Sequence, residues 1–323
     1  MSSAADLRIR LFGEVSIEQD GQPVAIPPTK SLELLCYVLL STESVVTRET
    51  LSNVLWPDAP AAASKRYLRQ ALWRLNSIFH HDGRNGHPLL GLDSGLVRVK
   101  SEASLWLDIS AFESAHASLH DIPGDHLDDQ QADALRVAVE LYRGDLMPTW
   151  YQDWCIYERE RLQLIRIMML EKLMFYCESR QRYARAIAYG QAILRQDRAR
   201  ERTHRELMRL YCLTGERTAA VRQYERCARA LADEFDLRPD RQTVALHEQI
   251  RAEHADALGP GSETSVAGLE RPHADLLVDL RSQLESIQNC LRTIEELVRV
   301  EPSMSNGHHR PLSAPEYGRD QGR

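Results

Sequence analysis

The feature that most constrains this chain is an internal repeat in its second half. Tyr183-Ala184-Arg185-Ala186-Ile187 follows a turn at Gln181-Arg182, and 34 residues later Arg217-Thr218-Ala219-Ala220-Val221 follows Gly215-Glu216. Ala186 aligns with Ala220 and Ile187 with Val221. A period of this length is one helix pair, and a small residue where two helices cross lets their backbones approach. From Phe112 to about Ala257 the chain reads as nearly all helix, so the repeat predicts a stack of helix pairs. Gln181 stands where glycine is usual at such a turn, which makes the first repeat imperfect.

The first hundred residues follow a different rhythm. Leu7, Ile9 and Leu11, then Val15 and Ile17, alternate as strands do, and Asp20-Gly21 is a hairpin turn before Val24 and Ile26. Pro27-Pro28 ends the sheet. Thr29 is placed to cap a helix starting at Lys30, with Glu33 reaching back and a buried stripe of Leu32, Leu35, Cys36 and Leu39. A second helix starts near Thr47 and is stopped by Pro57. A third covers roughly Ala62 to Phe79, and Leu89–Leu92 and Leu96–Val99 form a hairpin around Asp93-Ser94-Gly95. The order is sheet, three helices, hairpin.

The net charge of −7 argues at first against a nucleic-acid partner, but phosphate contacts depend on local patches. Between Ala59 and His81 the only charged residues are Lys65, Arg66, Arg69 and Arg74. On a wheel of 100° per residue, Leu68, Ala71, Leu72, Leu75 and Phe79 fall on one side. Arg66, Gln70, Trp73 and Ser77 fall opposite, flanked by Lys65, Arg69, Arg74 and Asn76. Arg can grip guanine O6 and N7, and Gln can pair with adenine N6 and N7. A basic face can equally be a solvated one, and Trp73 can either meet a partner or tuck under the hairpin. Thr47 and Arg48, at a helix start with free N–H groups, suit one phosphate. Arg98 and Lys100 lie where a hairpin wing would touch the DNA backbone or minor groove.

Taken together these pieces resemble a known family. Leu7-Arg8-Ile9-Arg10-Leu11-Phe12-Gly13, Val46 to Leu51, Leu55-Trp56-Pro57-Asp58, Leu68 to Leu75 and Leu105 to Phe112 resemble the DNA-binding domain of OmpR-type response regulators. Tyr142 to Leu146, Asp153-Trp154, Glu158 to Leu162, Leu207 to Tyr211 and Tyr224-Glu225-Arg226 resemble the bacterial transcriptional activator domain. The chain from residue 7 to about 257 is similar to the SARP class of transcriptional activators. The resemblance implies a mainly α fold with a small β part. A winged helix-turn-helix (1–110) would be followed by a tetratricopeptide-like all-α domain (111–257) that supports dimerisation. It implies binding to promoter direct repeats in double-stranded DNA through the third helix. It also implies a loop, Trp56, Pro57, Asp58, Ala59 and Pro60, that touches the sigma or alpha subunit of RNA polymerase. Arg74 matches a family Arg; Asn76 stands where an Arg is usual, which removes one phosphate contact.

Residues 258–273 read as a linker and 301–323 as a disordered tail. Between them, in a helix over 274–300, Leu277, Leu280, Leu284, Ile287, Leu291, Ile294 and Val298 are spaced 3 and 4 apart in turn, a heptad seam. Leu at a with Ile at d leans towards assemblies above the dimer, so a homo-oligomer is expected; folding back onto the helical domain is the alternative.

No cofactor is expected, and no enzyme activity. There is no HExxH, GxSxG, GxGxxG or GxxxxGK[ST], and the run Glu158-Arg159-Glu160-Arg161 reads as a salt-linked helix face. The six cysteines form no CxxC and suit a reducing cytosol. No apolar run approaches the roughly 20 residues that span a bilayer, so no membrane partner is expected. The expected location is the cytoplasm, at the nucleoid. Two other functions fit the same residues: an interaction scaffold built on the helical repeats, and a repressor that occludes its promoter.

Overall fold

The computed structural model of the protein describes residues 6–27, 29–41, 46–79, 89–93, 95–99 and 104–257. Lys100, the linker, the heptad residues Leu277 to Val298 and the tail lie outside the described residues.

The described chain begins with strands β1 (Asp6–Arg10), β2 (Ser16–Gln19) and β3 (Gln22–Pro23). Helix α1 (Lys30–Leu40), strand β4 (Val46–Thr47) and helices α2 (Arg48–Leu55) and α3 (Ala61–Phe79) follow. Strands β5 (Leu90–Asp93), β6 (Leu96–Val99) and β7 (Ser104–Leu107) complete this part. The helical part has α4 (Asp108–Ser118), a 3-10 turn (Gly124–His126), α5 (Asp129–Leu141) and α6 (Asp153–Ser179). It continues with α7 (Tyr183–Gln196), α8 (Glu201–Leu213), α9 (Arg217–Phe235) and α10 (Arg241–Ala257). Among the described residues no helix is long and apolar enough to cross a membrane.

Two small sheets frame the first three helices. One has the order β3-β2-β1-β7, with β7 parallel to β1; the other has the order β4-β6-β5 and is antiparallel. Asp20 and Gly21 both take positive φ, 51° and 76°, as a two-residue hairpin turn between strands of right-handed twist demands. Two pairings were not expected from the sequence: β4, two residues long, against β6, and β7 back beside β1.

Helix α1 departs from the expected pattern. The Thr29 side chain makes no cap hydrogen bond; its carbonyl instead accepts from the Glu33 N–H at 3.1 Å. Glu33 does not reach back but pairs with Lys30 at 2.8 Å. Leu34 and Val38 are buried along with Leu32, Leu35, Cys36 and Leu39. The helix is covered on more than one side: it packs on α2, α3 and β6, and the Tyr37 ring meets Trp154 of α6 edge-on at 5.2 Å.

The repeat folds as its alanines require. Ala186 and Ala220 are both fully buried, where α7 packs on α6 and α9 on α8. Gln181 takes the same left-handed conformation as Gly215, with φ 58° against 78°. The hydrogen bonds match as well: Arg182 N–H to Cys177 C=O at 2.8 Å, and Glu216 N–H to Tyr211 C=O at 2.7 Å. The two turns are the same Schellman-type helix ending, and the first is held by its surroundings in spite of a side chain that disfavours it.

Candidate nucleic-acid interface

Helix α3 is anchored by Ser64, Leu68, Ala71, Leu72, Leu75 and Phe79, all buried. That spacing is one helical face, so the opposite face must point away from the core. Lys65, Arg66, Arg69, Gln70, Trp73 and Arg74 are exposed on it. Trp73 is 71% exposed, which decides against its tucking under the hairpin. Asn76 and Ser77 are half-buried, so the exposed face is shorter than the wheel suggests. Among the described residues no carboxylate lies within ion-pair distance of Lys65, Arg66, Arg69 or Arg74. The positive charge of the helix is therefore left to whatever approaches it.

The turn before α3 is tied to this face. The Arg66 guanidinium lies 5.4 Å from the centre of the Tyr67 ring, which in turn lies 6.1 Å from Trp56. Pro57, Asp58 and Pro60 are exposed, while Trp56 and Ala59 are half-buried. The Pro60 carbonyl accepts from the N–H groups of Ala63 and Ser64 and so starts the helix.

The start of α2 corrects an expectation. Thr47 does cap the helix, its Oγ1 accepting from Thr50 N–H at 3.0 Å. The Arg48 N–H donates to the Gly95 carbonyl at 3.1 Å. Two of the N–H groups expected to be free for a phosphate are thus engaged, one of them by the turn of the β5–β6 hairpin. Pairing of Val46 with Val97 and Thr47 with Leu96 brings this helix start beside β6, where Arg98 is exposed.

A second cluster, which sequence reasoning missed, joins the winged part to the helical part. Asp108, 2% exposed, accepts from the N–H groups of Leu11, Phe12 and Ile109 at 2.8–3.0 Å. Burial raises its carboxyl above the usual range against the pull of those N–H groups. Gly13 N–H donates to Asp145 C=O, and Met147 N–H to Leu11 C=O. The Phe12 ring packs on Phe112 and Tyr142 at 5.2 and 4.7 Å. Arg159 donates to the carbonyls of Leu146, Met147 and Trp150 at 2.7–2.9 Å. Within the Glu158–Arg161 run the expected salt link is the one between Glu158 and Arg161 at 2.8 Å, and Arg161 also pairs with Glu113. Arg159 turns inward and ties these three carbonyls together, adding to the Trp150 N–H that the Met147 carbonyl already accepts at 3.0 Å. The signal was in the motifs themselves: the residues Leu11-Phe12-Gly13, Tyr142 to Leu146 and Glu158 to Leu162 meet at this junction.

Residues 107–251 match the family described as the bacterial transcriptional activator domain. The solved structure of Mycobacterium tuberculosis EmbR in complex with a low-affinity phosphopeptide superposes with a TM-score of 0.62 at 19% identity, covering 77% of this chain. The match spans 66% of the EmbR chain, just under two thirds, and the likeness is one of fold. No curated protein matches the sequence. The chain thus carries a bacterial transcriptional activator domain over residues 107–251, directly behind an N-terminal part of two small sheets and three helices.

Proposed function

We propose that this protein is a sequence-specific DNA-binding activator whose α3 enters the major groove of a promoter. The observation that carries the reading is the exposed face of α3: Lys65, Arg66, Arg69 and Arg74, without carboxylate partners among the described residues, beside Gln70 and a Trp73 that is 71% exposed. In this reading Arg66, Arg69 and Gln70 meet base edges, and Lys65 and Arg74 meet phosphates. Trp73 supplies apolar area against thymine methyls or sugars. Thr47, Arg48, Arg98 and Lys100 hold the backbone on either side. The turn Trp56 to Pro60, with Pro57, Asp58 and Pro60 exposed beside the same face, contacts RNA polymerase, and copies of the chain bind adjacent direct repeats.

A mobility-shift titration on the bound promoter tests this. Arg66→Ala and Arg69→Ala should each weaken specific binding by about 1–3 kcal/mol and relax the preference at one base. Lys65→Ala should weaken binding to all sequences alike and make the salt dependence shallower. Unaltered affinity in the Arg66→Ala/Arg69→Ala double variant would reject α3 as the reading helix. For the polymerase contact, Asp58→Ala should reduce transcription in vitro while leaving DNA affinity intact; full transcription by that variant counts against the contact.

A further inference from the structure

The helical domain carries a second positively charged site, away from α3. Between α7 and α9, over α8, lies a groove of about 390 Å³ lined by Gln191, Leu194, Arg195, Arg198, His204, Gln223, Arg226 and Arg229, with Ala230 and Asp233 at its side. Arg195 and Arg229 are 34 residues apart, so they occupy the same position in successive repeats, and both line the groove, one from α7 and one from α9.

Its floor is built and polar. His204 and Gln223 are each 2% exposed, and both are hydrogen-bonded at both ends of the side chain. Arg226 Nη1 donates to Gln223 Oε1 at 3.4 Å, Gln223 Nε2 to His204 Nδ1 at 2.8 Å, and His204 Nε2 to the Arg198 carbonyl at 2.9 Å. The carbonyl can only accept, so the chain fixes a neutral histidine with its proton on Nε2. Burial, followed at a distance by the Arg226 charge, keeps that histidine from taking a second proton. The relay positions the Arg226 guanidinium and the backbone at Arg198, at opposite ends of the floor.

The charge balance is one-sided. Arg198 is matched by Asp233 and Glu234. Among the described residues, Arg195, Arg226 and Arg229 have no carboxylate within ion-pair distance. Arg195 also acts on Arg166, whose pKa is lowered by burial and then by this like charge. Three guanidiniums without a carboxylate among the described residues thus line one groove over a buried polar floor. Guanidinium forks match the oxygens of phosphate and carboxylate. More than one fork suits a group with more than one negative charge, which a phosphate monoester carries and a simple carboxylate does not. The volume is that of a small-molecule site, and Leu194 and Ala230 offer apolar wall for a compact carbon skeleton.

We infer that the α7–α9 groove binds a small phosphate-bearing ligand, held by Arg195, Arg226 and Arg229 above the His204–Gln223 floor. The full-length protein is titrated by calorimetry with inorganic pyrophosphate and with glycerol 3-phosphate, with acetate as the singly charged control. One saturable site per chain is expected for the phosphate compounds and none for acetate. Arg229→Ala and Arg226→Ala should each weaken binding by about tenfold, roughly the 1.4 kcal/mol of one charge-assisted contact. Both side chains are exposed, so the variants should keep the parent circular dichroism and melting temperature. Lack of saturable binding, or equal binding by the variants, overturns the inference. So does a loss of duplex-DNA affinity in these variants with phosphate binding unchanged, which would make the arginines a DNA-backbone contact. The readout does not involve α3, so it is independent of the DNA-binding proposal.

Discussion

Removing the Asp108 carboxylate should destabilise the protein more than any exposed change, because one side chain serves three buried donors. Asp108→Ala leaves the N–H groups of Leu11, Phe12 and Ile109 without an acceptor. Each orphaned donor costs about 1–3 kcal/mol, which sums to several kcal/mol. Against this, the folded state no longer has to bury a carboxylate whose ionisation burial already opposes. The net expected loss is about 3–5 kcal/mol. Asp108→Asn keeps the shape and one oxygen but sets an amide nitrogen against a backbone N–H, a loss of about 2 kcal/mol. For a unit of this size each kcal/mol moves the melting temperature by roughly 2–4 °C, so the alanine variant should melt about 6–20 °C lower. Urea unfolding followed by tryptophan fluorescence is a suitable assay, since Trp150 and Trp154 lie near the junction. An alanine variant within about 1 kcal/mol of the parent would show that those N–H groups find water or other partners. A cost as large for Asn as for Ala would show that charge, not the number of acceptors, matters.

Three further outcomes are expected. Trp73→Ala should leave stability within about 0.5 kcal/mol, because the ring is mostly exposed, yet lower DNA affinity in a mobility shift; a large loss of stability would mean the ring is packed in solution. Gln181→Gly should stabilise by about 0.5–1 kcal/mol in thermal unfolding, since it relieves a left-handed backbone already held at φ 58°, and a destabilised variant would mean that the Gln side chain contributes more than the strain costs. His204 is held neutral below its ordinary 6.5, so the unfolded chain protonates first: its contribution to stability is complete above about pH 6.5 and declines as the pH falls. Unfolding free energies of the parent and of His204→Gln, compared at about pH 7.5 and 5.5, should show the smaller acid loss in the variant.

Much of the fold was legible because it rests on short-range rules. Period two named the strands, Asp20-Gly21 the hairpin, the buried stripe the orientation of α3, and the spacing of Ala186 and Ala220 the helix pairs. What failed was what depended on neighbours far along the chain. The α2 N-terminus was less open than expected, since the Gly95 carbonyl from the hairpin reached it first.

The sequence by itself determined the helical period, the turn chemistry and the side of α3 that carries charge, because each is set by residues within a few positions of one another. Tertiary structure decided the rest. Asp108 becomes a buried acceptor, Arg159 a clamp on three carbonyls, and Arg195, Arg226 and Arg229 one groove only when segments tens of residues apart come together. A side chain's partner depends on distance in space, and local pattern carries no information about that.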